Sequence, residues 1–137
     1  MNKLIEHTLL RQDATSEDVK TLCEEAKTHK FFGVCVPPYY VEQAKKLLEN
    51  TSVKVITVIG FPMGYGLTSI KVEEAKKAVE KGADEIDMVM NIAAFRNKEY
   101  NYIKNEIDSI TTIARMNNKL VKIIIESGSL TNEQRSY

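Results

Sequence analysis

The chain has 137 residues, of which 43% are hydrophobic and 28% charged, a composition typical of one globular domain large enough to form a core. Lysine plus arginine and aspartate plus glutamate number 19 each, so no overall charge favours nucleic acid or an anionic membrane as a partner. The apolar runs fall far short of the roughly 20 residues that a transmembrane helix needs, and the N-terminus lacks a signal-peptide pattern. We therefore expect a cytoplasmic protein with no nucleic-acid or membrane partner.

Short apolar segments alternate with amphipathic segments along the chain. The first helix is predicted to begin with a capping box formed by Thr15 and Asp18, and Gly82 suits the end of the third helix. Residues 93–97 are predicted to be a loop, and residues 127–137 a loop that enters a further helix. Five strands are predicted at residues 4–9, 33–36, 53–59, 85–91 and 120–125. The predicted buried positions of three of the four helices are Val19, Leu22, Cys23 and Ala26; Val72, Ala75, Ala78 and Val79; and Ile103, Ile107, Ile110 and Ala114.

This alternation of strands and helices predicts right-handed βαβ units and a parallel sheet. The rhythm alone permits both a doubly wound sheet and a (β/α)8 barrel. No glycine-rich phosphate-binding motif follows the first strand, which weakens the nucleotide-binding interpretation. Polar residues inside the strands favour the barrel, whose interior and C-terminal rim carry chemistry. We therefore expect a parallel α/β fold of the TIM-barrel type.

Two charged residues stand inside apolar strands, Asp87 in the fourth strand and Lys122 in the fifth. Isolated charges are almost never fully buried without a partner or a function. Because side chains alternate between the faces of a strand, and the apolar set must meet the helices, both residues should point inward. On neighbouring strands they could form a structural ion pair or a proton relay, and the residues alone leave both alternatives open.

Other polar residues have simpler interpretations. His7 is expected to be a hydrogen-bonded histidine at a strand end, because no second metal ligand is spaced to join it. Cys35 fits a small core residue better than a reactive thiol. The glycines that follow the third strand could cradle a phosphate, but a loop at the rim of the sheet explains them equally well. We expect no metal and no cofactor.

Several segments resemble, in order, the motifs of deoxyribose-phosphate aldolase, a class I aldolase family with a TIM-barrel fold. The segment around Asp87, residues 82–92 (GADEIDMVMNI), is similar to the family signature. The other matching segments are 5–10 (IEHTLL), 34–38 (VCVPP), 58–64 (VIGFPMG) and 121–126 (VKIIIE). Glu6 stands where most relatives have aspartate. The segments lie in family order and together cover most of the chain.

The resemblance implies a lyase that reversibly cleaves 2-deoxy-D-ribose 5-phosphate to acetaldehyde and D-glyceraldehyde 3-phosphate, without a metal. A lysine of the family forms a Schiff base with the aldehyde, and an aspartate moves protons through ordered water. By position, Asp87 matches that aspartate, and Lys122 matches a lysine that lines the same pocket and assists the relay. Thr8 and Cys35 match positions near the bound substrate. These four residues are the predicted site.

The resemblance also implies what the chain lacks. The Schiff-base lysine of the family lies on the sixth strand, and the phosphate-binding residues lie on the seventh and eighth. We therefore predict that residues 1–137 form an incomplete (β/α)8 aldolase-type barrel with about five of eight units. Such a chain could be a catalytically silent scaffold rather than an active enzyme. Its uncovered strand edges predict a homo-oligomer or a complementary fragment as partner. A different phosphosugar-binding barrel enzyme is a further alternative.

Overall fold

A computed structural model describes residues 4–125 of the chain. Helices and strands alternate through these residues. The strands are β1 (Glu6–Thr8), β2 (Gly33–Val36), β3 (Lys54–Ile59), β4 (Glu85–Val89) and β5 (Leu120–Ile124). The helices are α1 (Ser16–His29), α2 (Val41–Leu47), α3 (Thr68–Lys81), α4 (Ile92–Arg96) and α5 (Tyr100–Met116), with a 3-10 turn at Pro38–Tyr40.

The five strands form one parallel sheet in the order β1-β2-β3-β4-β5. This sequential order confirms the predicted fold class. A doubly wound sheet reverses its strand order at a switch point, whereas a barrel adds each strand beside the previous one. Within residues 4–125, β1 and β5 each pair with a strand on one side only.

The two faces of the sheet carry different side chains, as the period of two requires. The face toward the helices forms the main hydrophobic cluster, in which Val34, Val55, Ile86 and Met88 are fully buried. Each such side chain contributes about 1.5–3 kcal/mol to folding by leaving water. The inner face holds a smaller apolar cluster of Cys35, Ile56 and Val58. The remaining inner positions are therefore available to polar groups.

The ends of the helices follow the predicted signals. The Thr15 hydroxyl accepts from the Asp18 backbone N–H, and the Asp18 carboxylate accepts from the Thr15 N–H, which completes the capping box. Gly82 ends α3 with a φ of 113°, and its N–H reaches the carbonyls of Ala78 and Val79. These caps satisfy backbone groups that would otherwise have no partner inside the helix.

One predicted loop is a helix. The segment after β4 forms α4, and Asn91 caps it by accepting a hydrogen bond from the Ala94 N–H. The prediction of a loop at residues 93–97 was therefore wrong over most of its length. Five residues make little more than one turn, too short for an apolar period to be recognised. Its side chains Ala94 and Phe95 pack into a satellite cluster with Ile103 of α5.

Asp84 ties the N-terminal ends of two strands together just before β4. Its carboxylate accepts from the Val55 N–H at 2.9 Å and from the Lys45 ammonium at 3.2 Å, while its own N–H donates to the Val55 carbonyl. Burial raises the pKa of this carboxyl, but these donors outweigh it and hold the pKa below its usual value. This anchor supports the register of β3 and β4, from which Asp87 projects.

None of the helices described over residues 4–125 is long and apolar enough to cross a membrane.

Candidate active site

Asp87 and Lys122 are register partners on the adjacent strands β4 and β5. Their strand neighbours Ile86 and Met88 pack among the helices, so both charged side chains lie on the inner face. Only 7% of Asp87 is exposed, whereas the Lys122 side chain is about half exposed on the open inner surface. The structure therefore brings the predicted acid and base to one face of the sheet.

Lys122 forms its ion pairs with Glu6 and Glu85 rather than with its register partner Asp87. Its ammonium donates to Glu6 on β1 and lies 3.4 Å from Glu85 Oε2 on β4. Among the residues that the structure describes, Asp87 has no ion pair with Lys122. Of the two alternatives, the direct ion pair between register partners is not formed, because the long lysine side chain extends across the inner face to Glu6. Register fixes which backbones are adjacent, and the reach of the side chain decides which charges meet.

Asp87 lies in an environment that favours its protonated form. Burial is the largest cause that raises the pKa of its carboxyl to about 8, and the adjacent Glu85 carboxylate adds to the increase. The ammonium of Lys122 opposes this increase but does not cancel it. Asp87 Oδ1 is buried without a hydrogen-bond partner among the described residues. A carboxyl group that changes protonation near neutral pH is suited to general acid–base chemistry.

Lys122 lies in the opposite kind of environment. The hydrogen bond to Glu6, and the charges of Glu85, Glu6 and Asp87, raise the pKa of its ammonium above its usual value. Burial works against the increase but is outweighed. A lysine nucleophile must be unprotonated, and such lysines have lowered pKa values. Lys122 is therefore suited to hold charge and to position acids, and unsuited to form a Schiff base.

Thr8 and Cys35 are register partners on β1 and β2, at the same inner face. The Cys35 side chain is buried in the inner apolar cluster, and burial raises the pKa of its thiol to about 12. The negative charges of Asp87, Glu6 and Glu85 add to this increase. The thiol is therefore protonated and behaves as a small apolar group. Thr8 is exposed at the C-terminal end of β1, where a ligand on the inner face would reach its hydroxyl.

His7 points away from this site, toward α1. Its Nε2 lies 3.7 Å from Glu25 Oε1, and its ring packs edge-on against Phe31. Among residues 4–125, the one set of acids spaced closely enough to surround a cation is Glu6, Glu85 and Asp87. The Lys122 ammonium already lies between two of these acids, so the chain itself supplies the cation.

A second polar cluster, which the sequence did not predict, lies beneath the C-terminal ends of β3 and β4. Lys71 of α3 is fully buried and donates to the Glu106 carboxylate at 2.6 Å, the Gly64 carbonyl at 2.7 Å and the Val89 carbonyl at 3.0 Å. Glu106 of α5 is 1% exposed and also accepts from the Thr68 hydroxyl at 2.7 Å. This cluster holds the loop after β3 against the strand that carries Asp87.

Helical spacing is the signal that could have identified this cluster. Lys71 precedes the buried residue Ala75 by four positions, and Glu106 follows Ile103 by three and precedes Ile110 by four. Both residues therefore lie on the buried stripes of their helices. They were overlooked because a search for apolar periodicity treats lysine and glutamate as solvent-exposed. Val72 and Val79, predicted to be buried, are only half-buried at the flank of the stripe.

Close contacts with Lys71 and with the end of β4 explain why glycines occupy two positions of the loop after β3. Gly60 has a φ of 63°, and a Cβ there would lie 2.7 Å from Cε of Lys71. Gly64 has a φ of 75°, and a Cβ there would lie 2.2 Å from the Met90 carbonyl oxygen. Both positions therefore exclude larger residues on steric grounds. A phosphate is not needed to account for them.

Comparisons with known proteins agree with this fold. A family model described as DeoC/LacD family aldolase matches residues 2–135. The deoxyribose-phosphate aldolase of Mesomycoplasma hyopneumoniae strain J is 48% identical over 130 residues, which cover 95% of this chain and 58% of that protein. The enzyme of the same name from Caldicellulosiruptor saccharolyticus is 48% identical over 134 residues, covering 97% of this chain and 61% of that protein.

A solved structure agrees as well. The tetrameric deoxyribose phosphate aldolase from Aeropyrum pernix superposes with a TM-score of 0.88 at 31% identity, over 98% of this chain and 56% of that chain. The chain spans about three fifths of the length of the curated relatives that it matches. A sequentially ordered parallel sheet with acids and a lysine on its inner face defines an α/β protein of the barrel type. The chain belongs to the DeoC/LacD family of aldolases.

Proposed function

We propose that this chain supplies the proton-transfer part of a deoxyribose-phosphate aldolase site, which reversibly cleaves 2-deoxy-D-ribose 5-phosphate to acetaldehyde and D-glyceraldehyde 3-phosphate. The observation that carries the proposal is the environment of Asp87. Its carboxyl is buried on the inner face, has no ion pair among the described residues and has a pKa raised to about 8. Aldol cleavage needs a group that gives and recovers a proton near neutral pH, and Asp87 meets that requirement.

The other predicted site residues have supporting roles in this proposal. Lys122 carries a positive charge beside Glu6 and Glu85, and so orients the two acids that lie beside the proton donor Asp87. Thr8 offers a hydroxyl at the exposed rim, where it can hydrogen-bond a sugar oxygen. Cys35 provides an uncharged wall beside the acids. The family resemblance implies that the positions of Thr8 and Cys35 lie near the bound substrate, which supports placing a small phosphorylated sugar or aldehyde here.

The covalent step requires a lysine that the described residues do not provide in a suitable state. In the family that the motifs indicate, this lysine lies on the sixth strand, and the five described strands precede it. Lys122 is engaged by two acids, and Lys71 is buried in an ion pair on the helix side of the sheet. We therefore assign the nucleophile to strands that would complete the barrel beyond β5.

A complementation experiment tests this assignment. The chain would be mixed with the C-terminal segment of the Mesomycoplasma hyopneumoniae relative that lies beyond the matched region, and acetaldehyde would be trapped with borohydride. We expect no adduct on this chain alone, and in the mixture an adduct on the added segment together with cleavage of 2-deoxyribose 5-phosphate. An adduct at Lys122 would contradict the assignment. No turnover in any mixture would favour the alternative of a catalytically silent scaffold.

We propose in addition that the open edges of the sheet are covered by a partner, either a second copy of the chain or a segment that completes the barrel. The apolar side chain of Leu120 on β5 is 60% exposed, and that of Ile5, next to β1, is 40% exposed. Unpaired edge strands flanked by apolar groups favour association. Sedimentation velocity of the chain alone is expected to show dimers or larger species. A monodisperse monomer over a broad concentration range would contradict this proposal.

A further inference from the structure

Three carboxylates and one ammonium meet on the inner face of the sheet. Glu6, Glu85 and Asp87 each place one carboxylate oxygen within 4.8 Å of the other two. Among residues 4–125, Lys122 is the cation that forms ion pairs with this group, and it contacts Glu6 and Glu85. If all the acids were ionised, three negative charges would face one positive charge. Like charges at this spacing in a partly buried site strongly favour the uptake of a proton.

The hydrogen bonds of the group show where that proton belongs. Glu85 and Asp87 are two positions apart on β4, so their side chains project from the same face. Glu85 Oε2 and Asp87 Oδ1 are both buried without a hydrogen-bond partner in the described part of the chain. An ionised carboxylate can only accept hydrogen bonds, whereas a protonated carboxyl can donate one. A single proton between the two side chains would therefore supply the donor that both lack.

We propose that Glu85 and Asp87 share one proton as a carboxyl–carboxylate pair, in which Glu85 is the positioning residue that keeps the proton at Asp87. Asp87 is the member that carries the proton, because Lys122 lies beside Glu85 and Glu6 and forms no ion pair with Asp87. Paired carboxyls that divide one proton are a known way to keep an acid protonated near neutral pH.

The charges around Asp87 agree with this pairing. The pKa of Asp87 is raised first by burial and then by the adjacent carboxylate of Glu85, with a smaller contribution from Glu6. Lys122 lowers it. The side chain that β3 places opposite Asp87 is the apolar Val58. The titratable groups that face Asp87 from β1, β2, β4 and β5 are Glu6, Cys35, Glu85 and Lys122.

The use of this proton in an aldol reaction rests on the proposed function, but the pair itself does not. The pair can therefore be tested on the chain without any turnover. Carbon-13 NMR of the aspartate side-chain carboxyls reports the titration of each residue, and loss of one signal in Asp87→Asn assigns it. We expect Asp87 to titrate several pH units above an ordinary aspartate, which titrates near 3.9.

Two variants should shift the titration midpoint of Asp87 in opposite directions. Glu85→Gln removes the neighbouring charge and should lower the titration midpoint of Asp87 by about one pH unit or more. Lys122→Met removes the nearby cation and should raise that midpoint, which provides a second measurement if Glu85→Gln does not fold. Glu80→Gln, on the exposed face of α3, is the matched control and should leave the midpoint unchanged.

The shared proton of Glu85 and Asp87 and the proposed aldolase function would be contradicted by different results. An ordinary midpoint for Asp87 in the unmodified chain, or the same midpoint in Glu85→Gln, would overturn the pair. In the complemented enzyme, the pair predicts that Glu85→Gln shifts the acidic or basic limb of the pH–rate profile by the same amount as the NMR midpoint. If the NMR midpoints shift as expected but no mixture shows turnover, the carboxyl pair is supported and the proposed function is overturned.

Discussion

Replacing Lys71 by methionine is expected to lower the free energy of unfolding by roughly 3–5 kcal/mol, the usual cost of removing one partner from a buried ion pair. The variant would leave the Glu106 carboxylate buried without the Lys71 cation, and would remove the hydrogen bond that Lys71 donates to each of two backbone carbonyls. A loss of this size is a large fraction of the stability of an ordinary domain. Urea unfolding followed by circular dichroism measures it.

The matched control is Lys76→Met, which changes an exposed lysine of the same helix. Its ammonium lies 3.7 Å from Glu73 on the helix surface, and such pairs contribute about 0–1 kcal/mol. The double variant Lys71→Met with Glu106→Leu should recover part of the loss, because replacing both members of a buried pair removes the isolated charge. A Lys71→Met variant as stable as the Lys76→Met control would show that the cluster does not support the fold.

Replacing Asp87 by asparagine is expected to reduce kcat/KM of the complemented enzyme by about 10²- to 10⁴-fold, the usual contribution of a positioned general acid or base. Asparagine keeps the shape of the side chain but cannot give or recover a proton. The measurement is the release of acetaldehyde from 2-deoxyribose 5-phosphate. The control is Asp108→Asn, at an exposed residue of α5 paired with Lys104. Activity within about threefold of the unmodified enzyme would rule out the assigned role.

The stability of Asp87→Asn separates a catalytic loss from a folding loss. The folded state raises the pKa of Asp87 to about 8, so the native chain binds this proton more tightly than the unfolded chain does. The resulting stabilisation is fully present below the unfolded pKa of about 3.9 and is lost as the pH rises toward 8. Asparagine resembles the protonated form at every pH. Relative to Asp87→Asn, the unmodified chain should therefore become less stable as the pH rises from about 4 to 8.

Much of the fold could be predicted because the relevant signals are local. The four predicted buried positions of α1 are all buried, since an amphipathic helix shows its core face in its spacing. The capping box at Thr15 and the C-cap at Gly82 were recognised from a few consecutive residues. The alternation of side chains in β4 and β5 placed Asp87 and Lys122 on the inner face for the same reason.

The site was harder to predict because its contacts are distant in the sequence. Glu6 and Lys122 are 116 residues apart, on strands that are not neighbours in the sheet. Their contact depends on the curvature of the sheet and on the reach of the lysine, and neither can be read from register. Lys71 and Glu106 are 35 residues apart on two helices, and each taken alone resembles a solvent-exposed charge. Only their mutual burial distinguishes them.

The sequence by itself therefore determined the order of the strands, the faces on which Asp87 and Lys122 lie and, through its motifs, the aldolase family. These properties depend on spacing along the chain and on the chemistry of consecutive residues. Only the tertiary structure decided which acids meet Lys122, that Asp87 has no ion pair among residues 4–125, and that a buried lysine supports the strand that carries Asp87. Charges interact through space with energies set by distance and burial, and both are defined only when the sheet has curved and the helices have packed.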